Sequence, residues 1–582
     1  MINGKIFELD ERKGQGKILP LREAIDRWVR PGMKLHFADG ADANAAVREI
    51  IRQYHGKDPE FTLISGGVTT PDLISLVASG LVRKVVTTNC SYTYPAPRPI
   101  HLLQKMHKDG LIQIESWSLY SLEQRLMAAA LGVGWMPTKS LKGSGLGEEN
   151  GDSYKIVTNP FDATETMGVV RALSPDISIV HGCVADQEGN TILSPPYWSG
   201  LWGPRASNNG VIVTVERIVP TEFIRKHSAL VKIPGFLVRA VCSVVFGTHP
   251  QGLAAESIDL NGYGEDYEFI LDFVKASRDS KGLKEWMEEW IFQCRTQEEY
   301  VRKLGPARTS FLASKSTSGQ PEPETREHVD RDGRAPYNRT EMMVVATARE
   351  IKEIVLLKDY SSILSGIGAP GLAAWLAFYL MKEAGIHIDL MTGVGQVGFS
   401  PRPADPFLMS LPNVMTSKML TDTTDLYGTF VGGAHNRCLS VLGAAQIDQY
   451  GNINTVKVND LYFIGVGGAA DALNSCETIA VAKQSADRFL EKVPFVSCPG
   501  ERIRTLVTDM GVFKKYDGNT FTLAKVFAPS HGAVDRDPVQ EIASRCGWEV
   551  RAALSLEQIP PPTEEELSVL RALDPKGFFV GK

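Results

Sequence analysis

DISIVHGCVADQEGNTIL, residues 176–193, decides the fold. Its first half is an apolar strand too continuous to have one wet face. Small residues follow, then Asp186-Gln187-Glu188-Gly189-Asn190, then a return to apolar alternation. An Asp-x-x-Gly-Asn tip suits a tight turn, because Gly and Asn tolerate positive φ. The pattern recurs at residues 439–456, LSVLGAAQIDQYGNINTV, where Asp448, Gly451 and Asn452 match Asp186, Gly189 and Asn190.

Working outward, the two surroundings also match. GVIVTVERIVPTEFIRK follows the first tip and TIAVAKQSADRFLEK the second, each read as a buried strand and a short polar helix. Upstream, GMKLHFADGADANAAVREIIRQ parallels YSSILSGIGAPGLAAWLAFYL: a strand, a small-residue turn, an amphipathic helix. Three echoes in one order argue for a duplicated α/β unit. Apolar strands alternating with helical stretches predict an α/β fold: two related open α/β domains, with mainly parallel sheets covered by helices. Between the halves, residues 307–339 are polar and carry prolines and mixed charge, which reads as a linker between domains at 1–306 and 340–582. A long surface loop within one domain is the other reading.

Composition sets bounds. A chain of 582 residues exceeds one ordinary core. A net charge of −6 gives no basic surface for a nucleic-acid partner. No apolar run reaches the length of a membrane span, and the first residues lack an apolar signal core. Eight scattered cysteines form no C-x-x-C pair, so a reducing cytoplasm is expected, without disulfides or zinc. No histidine pair has metal-ligand spacing, so no metal site is expected.

In open parallel sheets, ligands bind beyond the carboxyl ends of the strands. Four small-residue turns follow predicted strands, at 143–147, 365–371, 391–395 and 465–471. Small residues let backbone N–H groups approach a phosphate or an oxyanion, and a following helix adds its positive end. Singly, each is also an ordinary strand-to-helix turn. No dinucleotide fingerprint or P-loop is present. In IQIESWSLYSLEQRLMAAALGVGWMP, Glu115 ends a strand before a helix starting near Ser121. A carboxylate there suits acid/base work; capping the helix or pairing with an arginine is the alternative.

The chain resembles the glutaconate CoA-transferase-like branch of the type I CoA transferases. In the first half, LREAIDRWVRPGMKLHFADG, AAALGVGWMPTKSLKGSGLGEEN, TNPF, TVERIVPTEFI, VFGTHPQGL and NGYGEDYEFI resemble the family's α half. In the second, SGIGAPGLAAWLA, LGAAQIDQYGNINT, GVGGAAD and LVTDMGVF resemble its β half. The resemblance implies two α/β domains fused in one chain, with the active site between them and an acyl-CoA as substrate. It implies no bound cofactor beyond the coenzyme A carried by that substrate, and a homo-oligomer, a dimer of the fused chain. It puts CoA near Gly465, Gly467, Gly468, Ala469 and Asp471, with Gln446 beside them. An oxyanion or acyl pocket is expected at Phe37, Ser144, Gly145, Gly366, Gly368, Met391, Thr392 and Gly393.

Two departures redirect the chemistry. The family's nucleophilic glutamate ends a β-half strand in a pattern like H-I-I-V-E-S-G. Here the stretch reads HIDLMTG, with Met391 at the glutamate's position. A thioether cannot form an acyl anhydride. The family's Gly-Gly-Phe turn reads His36-Phe37-Ala38. Relatives without that glutamate, some similar in PPTEEELSVLRALDP, include catabolic acyl-CoA hydrolases that open carbon rings and a decarboxylase. The expected activity is therefore hydrolytic C–C cleavage of a cyclic or β-keto acyl-CoA, with Glu115 as acid/base group. A CoA transferase using another carboxylate, Asp389 being nearest, and a non-catalytic acyl-CoA binder are the alternatives.

Overall fold

The computed structural model describes residues 16–40, 42–317, 337–403, 405–459, 461–516, 518–528 and 537–581. Each half is built on one large sheet. In the first, Lys34–Phe37 lies between Phe61–Ile64 and Ile177–Ala185, parallel to both. Val82–Thr87 and Gln113–Ser116 extend the sheet on one side, and Val211–Ile218 and Val238–Ser243 on the other, all in parallel. In the second, Asp389–Met391, Ser362–Ser365, Cys438–Gly443, Glu477–Ala482 and Ile503–Thr508 run parallel in that spatial order. Antiparallel strands follow at both ends of that series. Every residue of Ile177–Ala185 is buried, as expected of a strand covered on both faces.

The repeated tips are hairpins with one internal logic. Asp186 accepts the Glu188 and Asn190 backbone N–H groups and the Asn190 amide. Asp448 does the same for Tyr450 and Asn452. Gly189 and Gly451 sit at φ +94° and +78°, which explains the glycine at each tip. The upstream echo also holds: Lys34–Phe37 leads to helix Asn44–Tyr54, and Ser362–Ser365 to helix Ala369–Glu383.

The downstream echo is only half right. Helix Thr221–Lys226 follows the first strand. After Glu477–Ala482 the chain makes a turn closed by Arg488 N–H to Ser485 O, then enters strand Phe489–Leu490, which pairs with the Gln446–Asp448 strand. The 391–395 turn is likewise not a strand-to-helix turn. It reverses the chain into antiparallel strand Gln396–Phe399. The polar segment 307–339 begins as helix Pro306–Thr317, anchored on the first half by Leu312 and by an Arg308–Asp266 ion pair. Asn338 caps the next helix, Arg339–Lys358, and residues 318–336 lie outside the described residues. Among the described residues no helix is long and apolar enough to cross a membrane.

Candidate functional site

At the glycine loop the halves dock through backbone. Val466 and Gly467 N–H groups both donate to Thr88 O, Cys90 N–H donates to Ile464 O, and Leu119 N–H donates to Gly467 O. Gly465, at φ +103°, lies so close to the first half that a Cβ would stand 2.3 Å from Thr88 O. The glycine loop is therefore shaped by the interface as much as by any ligand.

Asp471 completes the docking. Its carboxylate accepts the Ser118 hydroxyl at 2.6 Å, the Ser140 hydroxyl and the Tyr120 backbone N–H at 3.0 Å. Ser118 is the cap of helix Leu119–Ala130, so Asp471 sits at that helix's positive end. It is 1% exposed, and burial pushes its pKa up to about 6. The sequence reading gave Asp471 to CoA; in the structure its carboxylate faces the other half.

A cavity of about 700 Å³ lies between the halves. Of the residues expected at the site, Gly366, Thr392, Gly393, Gly465, Gly467, Gly468 and Ala469 line it. The others do not. Phe37 is in the first half's core. Ser144 caps a short helix, and Gly145 N–H donates to Val496 O across the interface. Gly368 caps helix Ala369–Glu383 between the lining residues Ile367 and Ala369. Gln446 is spent on Asn454 and Asp487 O. Met391 is 3% exposed and packs with Leu364, Leu426 and Tyr427 behind the cavity wall. The Tyr427 hydroxyl stands in the space a Cβ would need on either Gly393 or Gly468.

Glu115 is also elsewhere. Its carboxylate is bound by Lys84 at 2.6 Å, Arg125 at 2.8 Å and the Trp117 indole N–H at 2.7 Å. Burial alone would lift its pKa, but these three partners outweigh burial and hold it below its usual value. This is the arginine-paired alternative of the sequence reading, and Glu115 does not line the cavity. Asp389 is half-exposed and paired with Lys418 at 2.6 Å, also away from it.

The carboxyls that do face the cavity come from loops: Asp39, Asp42 and Glu265. Asp39 accepts Ser65 Oγ at 2.9 Å and the Gly66 and Gly67 N–H groups. Burial raises its pKa to about 6, against the opposing pull of those donors. Asp42 is pushed well above the usual range, first by burial and then by the charges of Asp39 and Asp72. Asp42 is thus held toward its protonated form more strongly than Asp39, which separates the two carboxyls on one wall into the better acid donor and the better base. Ser365, 4% exposed, lines the opposite wall, and its hydroxyl has no hydrogen-bond partner among the described residues. Two cations, Lys483 and Arg488, also line the cavity. Sequence reasoning missed all of these except the neighbourhood of Asp39, in the small-residue turn after Phe37. Ser365 opens another such turn, but there the glycines carried the signal.

Residues 19–243 match the family model for Coenzyme A transferase. Over 319 residues, half of the chain, it is 27% identical to the first of the two glutaconate CoA-transferase polypeptides of Acidaminococcus fermentans, covering 93% of that polypeptide. Over 260 residues, 41% of the chain, it is 28% identical to the second of the two 3-oxoadipate CoA-transferase polypeptides of Pseudomonas knackmussii, covering 94% of that one. The fold of an acyl-CoA transferase from Escherichia coli O157:H7, solved as a thioester complex with CoA, superposes with a TM-score of 0.63. That likeness covers 97% of this chain and 98% of the other at 16% identity, and concerns the fold alone. With likeness to both kinds of polypeptide in one chain, and a glycine-walled cavity between its two α/β halves, this chain resembles the coenzyme A transferases as an α-like and β-like fusion, and residues 19–243 carry the family match.

Proposed function

We propose that the chain binds an acyl-CoA thioester in the cavity between its halves and hydrolyses a carbon–carbon bond of a cyclic or β-keto acyl group, without a covalent CoA-enzyme intermediate. The observation that carries this reading is a contrast across the cavity. The strand end to which the resemblance assigns the nucleophile carries the buried thioether of Met391, while the Asp39–Asp42 carboxyl pair lines the α-like side.

In this reading Asp39 takes a proton from water as hydroxide adds to the β-keto carbonyl. The bond between that carbon and the α-carbon then breaks. Its electron pair moves to the α-carbon and is held as the thioester enolate. The Ser365 hydroxyl and the N–H groups that follow Gly366 and Thr392 in their turns stabilise the enolate oxygen, the Gly366 N–H itself being spent on Val441 O, each such donor contributing roughly 3–4 kcal/mol at best. Asp42 gives the α-carbon a proton. The acid/base role assigned from sequence to Glu115 passes to this pair. Lys483 and Arg488 suit the CoA phosphates.

The names of the relatives favour a second reading, CoA transfer through another cavity carboxylate. A panel of β-keto and cyclic keto acyl-CoAs, incubated with and without a carboxylic acid and analysed by mass spectrometry, separates the two. Ring-opened or shortened acyl-CoA formed without acceptor supports hydrolysis. Borohydride inactivation in the presence of substrate, with a CoA-sized adduct on any Asp or Glu, would overturn it in favour of transfer.

A further inference from the structure

Glu265 stands apart from the chemistry just described. It lines the cavity from the loop before helix Tyr267–Ala276, and no salt bridge to it is present among the described residues. The nearest ammonium, Lys315 Nζ, donates instead to the backbone oxygen of Glu265 at 2.7 Å. The carboxyl's support comes from its own backbone N–H, the Lys315 charge and the Leu411 N–H.

Its surroundings on the cavity wall are apolar. Ala254, Leu411 and Val414 form one packed cluster, and all three line the cavity. Tyr94 and Phe407 line it too, with Tyr94 stacked on Tyr267 at 4.1 Å. The Tyr267 hydroxyl donates to Asp405 at 2.9 Å, so it has no donor left for Glu265. The charge of Asp405 adds to burial in raising the Glu265 pKa, to about 7. One carboxyl is thus presented to the cavity from an apolar wall, with acceptor capacity unused and a second acid behind it.

A site built this way selects by complement. It pairs with a hydrogen-bond donor and disfavours an anion, because Glu265 and Asp405 are both acids, while Lys315 and Lys576, whose charges reach them, do not line the cavity and Lys315 is held on the Glu265 backbone oxygen. We propose that Glu265 reads a polar group on the acyl chain, so that this protein takes acyl-CoA thioesters bearing an alcohol or an amine and rejects those ending in a carboxylate. The proposal rests on the reading that the cavity holds an acyl-CoA.

The test is equilibrium binding of unreactive CoA S-alkyl thioethers of four, six and eight carbons, ending in methyl, hydroxyl, ammonium or carboxylate. Binding of free CoA reports whether each variant is folded. In the wild-type protein the hydroxyl or ammonium analogue of the best length should bind on the order of tenfold to a hundredfold more tightly than the carboxylate analogue. In Glu265→Gln that ratio should shrink to about threefold or less. Loss of an ammonium preference with survival of a hydroxyl preference in that variant identifies the amine as the ligand, since Gln still accepts a hydrogen bond; the reverse identifies the alcohol. Carboxylate analogues binding as tightly as the others to the wild type, or undiminished discrimination in Glu265→Gln, would overturn the proposal while leaving acyl-CoA binding intact. Failure of CoA and every analogue to bind would remove the acyl-CoA reading itself.

Discussion

Replacing Asp471 by alanine should loosen the joint between the halves without touching the cavity wall. The substitution strands three donors: the Ser118 and Ser140 hydroxyls and the Tyr120 N–H. Hydrogen bonds to a charged acceptor contribute about 1.5–3 kcal/mol each, so the three together bring roughly 5–9 kcal/mol. Burial of the charge opposes these bonds, and with both counted the carboxyl is held at about 6 instead of 3.8. At pH 8 the variant should therefore lose well under that gross sum, on the order of a few kcal/mol. The pH dependence has a definite sign. Because the folded pKa is the higher one, the folded state binds the extra proton between pH 4 and 6, and the wild type loses stability as pH rises through that window. The alanine variant lacks this contribution, so the gap between the two proteins should be widest near pH 4 and narrowest above 6. Urea titrations at pH 5 and 8, followed by tryptophan fluorescence, read both quantities. Equal stability of the two proteins, with loss of CoA binding in the variant, would refute the docking role and return Asp471 to the ligand.

Other substitutions separate structure from chemistry in the same way. Glu115→Gln should lower stability by about 1–3 kcal/mol, seen as a lower urea midpoint, and leave turnover unchanged. Its carboxyl is held below the usual value, so the wild-type advantage is complete above pH 4.5 and fades below it. Asp42→Asn should cut turnover by roughly two to four orders of magnitude while an S-alkyl CoA still binds. In the wild type, kcat/KM should rise with pH through about 6 as Asp39 ionises and fall at higher pH as Asp42 loses its proton; a profile flat from pH 5 to 7 would contradict Asp39 as base. Gly465→Ala forces a Cβ against Thr88 O at positive φ and should cost about 1–3 kcal/mol, with the joint opening first in hydrogen exchange at Thr88–Cys90.

How much of this was legible in the sequence follows from which interactions are local. The tips at Asp186 and Asp448 were readable because each aspartate binds N–H groups two and four residues on. The parallel sheets were readable from strands with no wet face. Glu115 was misleading because its partners, Lys84 and Arg125, come from a neighbouring strand and the next helix. Asp471 was misleading because Ser118 is 353 residues away, and no local pattern reveals a partner at that distance. Asp39, Asp42 and Glu265 follow no spacing rule; only the meeting of loops on one cavity makes them a set. The helix expected after Glu477–Ala482 failed because the small sheet on Gln446–Asp448 recruits that segment as a strand.

The loop from Ile464 to Gly467 gives its backbone both to Thr88 and Cys90 of the other half and to the wall of the cavity. The pocket therefore exists only while the halves are joined. In a protein whose α and β parts are separate chains, such a pocket dissolves on dilution, since its population follows a second-order equilibrium. Here the two parts share a backbone, and closing the joint is a first-order event set by an effective local concentration of its own. Specific activity should accordingly stay constant from micromolar to picomolar enzyme, and a cut between the halves should turn that constancy into a dilution curve.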